Sequence, residues 1–365
     1  MLSALDDLPI HQVAEVMRHV GPSDRNFYDR YYFNAHPCSD ELFMVFGMGQ
    51  YPNLGVADAF LVVRDAGLQQ VVRASKELGA DRLDTTVGPL HVEVIEGLRR
   101  LRVVCDENEW GLACDLTWTG AVVAYEEPRH QHRQGSRVII DSKRMAQTGT
   151  WSGTLTFNDK THQVTPDHWW GSRDRSWGIR PVGEPEPPGI QATRPPGGFF
   201  WLYAPMQFDE FSILFITQEE SDGTRVLEEA VRVYPESAGR SPELLGRPDH
   251  ELVFVSGTRT VQSAKLKMTE PDGRPLEVEV TPLLPLHVGM GTGYGFDADW
   301  RHGMYQGPSK VQSVSYDLND PVQAGAMWGL CDSVARFRTG DLVGHGLFEY
   351  MVLGPHDRYG FAGWD

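Results

Sequence analysis

The feature that most constrains this chain is the rhythm of its apolar residues. Runs of β-branched and aromatic side chains at residues 42–46, 56–63, 68–74, 90–95, 98–105, 112–124 and 149–157 are separated by clusters of turn-forming residues. Such side chains suit a pleated, half-buried surface, and the turn residues supply the reversals, so each run reads as a strand. A second series follows at 199–206, 211–217, 225–234, 252–255, 260–268, 276–281, 311–316, 323–330 and 347–353. Only residues 9–20 have helical spacing, at Ile10, Val13, Val16, Met17 and Val20, closed by Gly21-Pro22. One helix in so many strands excludes a nucleotide-binding α/β fold, in which helices alternate with strands. The expectation is an all-β chain.

A length of 365 residues exceeds what one hydrophobic core ordinarily serves. The stretch 181–198 holds too much Pro and Gly to sustain a ladder and is the natural linker. The expected organisation is a helical segment at 1–25, one antiparallel barrel at 26–180, the linker, and a second barrel at 199–365.

Lys and Arg number 33 against 50 Asp and Glu, a net charge of −17 that repels phosphate backbones and anionic lipid surfaces. Nucleic acid is therefore not an expected partner. No apolar run is long enough to span a membrane, and the first residues do not read as a secretion signal, so the expected location is the cytoplasm. There the four cysteines are expected to be reduced. Cys105 and Cys114 would nevertheless face each other if their hairpin turns about Glu109 and Trp110. Neither lies in a C-x-x-C step, His130 and His132 would share one face of a strand as a possible metal pair, and His162, Asp167 and His168 have no metal-site spacing; no metal and no cofactor are expected. His130 and His132 fall in a polar run that reads as a solvated loop. Gly289 to Gly295 does not fit the register of a phosphate loop, and no nucleophile elbow is found.

Chemistry concentrates in residues 165–181, with three Trp, three Arg, two Asp and a His. In an extended strand, Arg173, Arg175 and Trp177 share one face, and Asp174, Ser176 and Gly178 the other. An Arg–Asp pair capping a barrel end would account for the segment without chemistry. The functional reading places Asp174, or Asp167 with His168, at the mouth of an apolar cavity walled by Trp169, Trp170 and Trp177. Desolvation there raises a carboxyl pKa and keeps a proton available, while indole faces stabilise a cation. Trp118, Tyr51, Asn53, Asp58 and Asp115 are further candidates to line that space.

The run Gly171-Ser-Arg-Asp-Arg-Ser-Trp-Gly-Ile-Arg-Pro181 resembles the Asp-x-Ser-Trp-Gly-type motif of the tandem lipocalin-like superfamily that includes the carotenoid 1,2-hydratases (hydroxyneurosporene synthases), kievitone-type hydratases and fungal Diels-Alder cyclases. Phe46-Gly-Met-Gly-Gln-Tyr-Pro-Asn53, Gly153-Thr-Leu-Thr and Gly344-His-Gly-Leu-Phe-Glu-Tyr350 extend the likeness over nearly the whole chain after the first helix. The resemblance implies two lipocalin-like (calycin-type) barrels, a hydrophobic pocket, and acid-assisted addition of water to a terpenoid alkene or its reversal. It puts Asp174 at the motif's acidic position and Trp177 at its aromatic one. Here Arg173 and Arg175 bracket Asp174, which should favour its charged form and make Asp58 or Asp115 the better donor.

These readings lead to a cofactor-independent hydratase, dehydratase or isomerase acting on a small apolar isoprenoid. Its rivals are a non-catalytic carrier of a lipid, steroid or terpenoid in a barrel cavity, and a cyclase that only holds its substrate in a reactive shape.

Overall fold

In the computed structural model the described residues are 7–9, 14, 16, 18–187, 189 and 197–364. Half of the helix expected at 9–20 lies outside them; the described Pro9, Ala14, Val16, Arg18, His19 and Val20 form bends, a turn and irregular backbone. Two antiparallel sheets of 14 and 9 strands account for the described architecture, as expected of a tandem lipocalin-like fold. No helix among the described residues is long and apolar enough to cross a membrane.

The first sheet begins as a meander, Phe27–Ala35, Phe43–Tyr51, Val56–Arg64 and Leu68–Glu77. It closes through Trp170–Ile179, which pairs with both Phe27–Ala35 and the 21-residue strand Arg137–Phe157. The first three strands of the meander are buried along essentially their whole length. Parity explains why. Tyr31, Phe33, Met44, Phe46 and Leu61 enter the sheet's own core with Trp118 and Trp151. Their neighbours Tyr32, Phe43, Val45, Phe60 and Val62 pack instead against Tyr203, Leu214, Ile216 and Leu347 of the second sheet. A strand covered on both faces carries a continuous apolar run rather than an alternating one. Each of these large apolar side chains contributes about 1.5–3 kcal/mol on burial, and the shared layer fixes the two sheets face to face.

Two glycines of the 165–181 region are imposed by close approach. A Cβ on Gly171 would lie 1.9 Å from the Asn34 carbonyl oxygen, and Gly178 has φ +132° with the Asp141 carbonyl 2.3 Å from where its Cβ would stand. Any other residue at 178 is strained twice over, which gives the glycine of Ser-Trp-Gly a structural cause.

Three expectations are corrected. Ser309–Asp317, placed by the sequence in the second barrel, pairs with Leu68–Glu77 at the edge of the first sheet. Residues 323–330, read as a strand, include the end of a short helix, Pro321–Gly325, capped by the Asp320 side chain with Pro321 in its first turn. The polar run around His130 is a strand, His130–Gln134, paired with Arg137–Phe157 rather than a free loop. Cys105 and Cys114 are direct antiparallel partners, and all four cysteines are free thiols.

Candidate functional site

The parity that builds the shared apolar layer also sends polar groups into it. On Phe27–Ala35 the side chain of Tyr32 faces the second sheet, and its direct partner on Trp170–Ile179 is Asp174. On the second sheet Asp332, from Cys331–Thr339, is the direct partner of Glu349, from Leu342–Leu353. Glu349 pairs on its other side with Tyr203 of Phe199–Gln207, the strand that also carries Trp201. Around these positions lies a cavity of about 200 Å³. Asp174, Ser176 and Arg180 form one wall, Glu349, Trp201 and Met351 the facing one, and His130, Arg144 and Tyr294 help close it.

One hydrogen bond ties the acids across the two sheets and another lies within the second. The Tyr32 hydroxyl donates to Asp332 Oδ2, and the Trp201 indole N–H donates to Glu349 Oε1. Burial, then the neighbouring Glu349 charge, pushes Asp332 well above the carboxylate range; burial raises Glu349 as well. Asp332 Oδ1 has no hydrogen-bond partner among the described residues, and the two buried carboxyls titrate as a pair whose protonated form burial favours. Asp174 makes no ion pair among the described residues. Burial pushes its carboxyl up to about 7, against the pull of Arg144 and with the push of Glu127 and Glu349.

Arg144 is neutralised by an ion pair with buried Glu127, its guanidinium 4.5 Å from the Tyr203 ring centre and 5.3 Å from that of Trp201. His130 stacks on Trp201 at 6.2 Å and is pushed down to about 4 by burial and then by Arg144. At neutral pH it is an uncharged part of the wall. The cavity thus combines a carboxyl whose pKa lies close to neutrality, a second buried carboxyl, Glu349, and an indole face.

Of the residues singled out in the sequence, the structure brings Asp174 to this cavity and disperses the others. Asp58 is buried, but the Arg30 guanidinium (3.1 Å), the Tyr51 hydroxyl (3.0 Å) and the Gly303 N–H (2.7 Å) enclose it. Burial raises its pKa, yet with those partners it is a structural anion rather than the better donor. Asp115 is corrected outright: it sits on the outer face of its hairpin in a bidentate pair with Arg102, 2.7 Å on each arm, which lowers its pKa. Asp167 and His168 stand 3.3 Å apart on an exposed turn, their side chains 69% and 76% accessible. Asn53 is exposed and binds the Pro22 and Asp24 carbonyls.

The tryptophans are redistributed too. Trp118 is fully buried in the first sheet's core, edge-on to Trp151 at 5.1 Å, and Trp169 belongs to the same core. Trp170 contacts His345 across the sheets at 6.2 Å. Trp177 lies on the face of its strand opposite Asp174, so the indole that meets the acid is Trp201, which the sequence reading did not single out. Arg173 and Arg175 also point away from Asp174, into buried pairs with Asp7 and Asp29. The expected suppression of Asp174 by its sequence neighbours therefore does not arise; Arg144 and Arg180 exert the opposing pull.

The sequence model of a family of unknown function, DUF8625, matches residues 2–362. No curated protein matches the chain in sequence. Among solved structures, a candidate AttH from Nitrosomonas europaea is similar with a TM-score of 0.55 at 15% identity, covering 91% of this chain and 94% of that one. CghA with Sch210972 aligns with a TM-score of 0.51 at 10% identity, covering 91% and 89%. Kievitone hydratase from Nectria haematococca aligns with a TM-score of 0.47 at 12% identity, covering 88% of each chain. For the first two the likeness is one of fold, extending over both sheets.

Proposed function

The chain belongs to the DUF8625 family, whose function is unknown, so its own site must carry the reading, and we propose that it is a cofactor-independent hydratase, dehydratase or isomerase acting on a carbon–carbon double bond of a small apolar isoprenoid. One observation carries this: an acid near the midpoint of its titration at neutral pH, free of any ion pair among the described residues, in a cavity walled by an indole. Protonated Asp174 gives its proton to one alkene carbon, the π pair forming the new C–H bond and leaving a cation on the other carbon. The Trp201 face stabilises that cation by about 0.5–2 kcal/mol, and Glu127 offsets the charge of Arg144. Water then adds and loses its proton to the Glu349 carboxylate, giving the alcohol; loss of a proton from an adjacent carbon instead gives the isomer. General acid catalysis of this kind contributes about 10²–10⁴-fold.

The size of the hollow supports a small reacting end. A cavity of roughly 150 Å³ admits benzene, so about 200 Å³ suits one isoprenoid end rather than a long polyene. The carrier reading called for a hollow barrel, whereas Trp118, Trp151 and Phe33 occupy the interior of the first sheet. Incubation with monoterpene and longer isoprenoid alkenes and alcohols in heavy-oxygen water tests the proposal. Labelled alcohol or shifted alkene from the wild type, absent with D174N, is expected; no conversion of any of them contradicts it.

A further inference from the structure

Beyond Arg180 and Tyr294, which line both spaces, lies a second cavity of about 510 Å³ between the linker, the strand Arg137–Phe157 and the 293–302 loop. Its charges are not balanced. Glu186 is engaged by Arg25 at 3.0 Å, Arg137 at 2.5 Å and Asn26 at 2.6 Å, and Glu184 lies 3.8 Å from Arg25. Those pairs consume both carboxylates of the cavity and leave Arg180 and Arg301 over. Among the described residues Arg301 donates only to the Ala298 carbonyl. Asp297, whose field it shares, is held by Arg73 at 3.8 Å and the Gly291 N–H at 3.0 Å.

Arg180 is positioned without being neutralised. Its guanidinium stacks over Tyr28 at 4.5 Å and stands 5.9 Å from the Tyr294 ring centre. Its one hydrogen-bond partner among the described residues is His302 Nδ1, at 3.2 Å. The other ring nitrogen of His302, Nε2, lies 3.1 Å from the Thr292 carbonyl, which accepts only a donor, so Nε2 carries the hydrogen and Nδ1 accepts from Arg180. A neutral imidazole and two aromatic faces thus hold a guanidinium at full charge at the mouth of the acid cavity. In a chain of net charge −17, two uncompensated cations in one concavity focus an attractive field for an anion.

We infer that the second cavity is an oxyanion subsite: the substrate is an amphipathic isoprenoid whose carboxylate or phosphate end binds Arg180 and Arg301 while its alkene end enters the cavity of Asp174 and Trp201. This rests on the proposed reaction and supplies its substrate class. Shielding of the anion by Arg180 also keeps a second negative charge from raising Asp174 further.

Quenching of tryptophan fluorescence by geranic acid, geranyl phosphate and neutral methyl geranate tests it in the intact chain. At least one anionic probe should bind ten-fold or more tighter than the ester, and the preference should shrink with added salt. The carboxylate and phosphate arms separate the two headgroups. R301Q should reduce the preference at least five-fold while leaving ester binding within two-fold, and R301K should restore most of it. Equal binding of ester and anions, no binding of either anion, or a preference unchanged in R301Q overturns the subsite. The catalytic proposal fails separately: D174N would retain the anion preference, and only turnover reports on the acid.

Discussion

The two faces of the strand Trp170–Ile179 hold ionisable groups in opposite conditions. On one face Arg173 and Arg175 close onto Asp7 and Asp29, charges with no exposure whose partners satisfy them. On the other, one residue away, Asp174 looks into a cavity with no ion pair among the described residues and a pKa pushed up to about 7. Arg173 and Arg175 are fully buried and Asp174 only partly so, so it is the missing partner rather than the depth of burial that marks the reactive group. The closed pairs hold the fold together; the open acid is held by the fold in a state it would not choose in water.

The largest effects should separate these faces. D174N should lower turnover about 10²–10⁴-fold without loss of stability; loss of less than ten-fold would remove Asp174 as the acid. R173M should leave Asp7 buried beside a single backbone donor, the Leu98 N–H, and destabilise the protein by about 3–5 kcal/mol, measured by urea unfolding. A smaller loss would mean that Asp7 finds water.

The pH dependence should follow the open face. With a folded value near 7 against an ordinary 3.8, the native state holds the Asp174 proton between those limits. The contribution of Asp174 to stability therefore declines as pH rises from about 4 to about 7, and D174N should gain stability over wild type across that window in thermal melts. Turnover limited by the acid should fall as pH rises through about 7. The smallest effect is expected at Asp115: D115N breaks an exposed pair, should change stability by no more than about 1 kcal/mol, and should leave turnover unchanged. A large activity loss there would place the acid on the wrong hairpin.

The architecture and the parity of Asp174 and Ser176 were legible because alternation along a strand is a local property. The remainder of the site was not, since Tyr32, Trp201 and the hairpin that carries Asp332 and Glu349 are far apart in sequence, and Tyr32 meets the acids only when the sheets pack. A signal existed for two of them. Asp332 follows Cys331 in the buried first half of its strand and Glu349 sits between Phe348 and Tyr350, places where a carboxyl is costly unless it has a partner. His130 was misread because a polar run resembles a loop, although the residue begins a strand beside the cavity. Trp118 and Trp169 were drawn to the site by residue type, which does not distinguish a core filler from a cavity wall.

The central claim concerns one proton. A carbon-13 NMR titration of the side-chain carboxyls, with the Asp174 signal identified by its absence in D174N, reads it directly. The account requires a midpoint close to 7; a midpoint near 4, the ordinary aspartate range, would show a carboxylate already charged at neutral pH and contradict the mechanism.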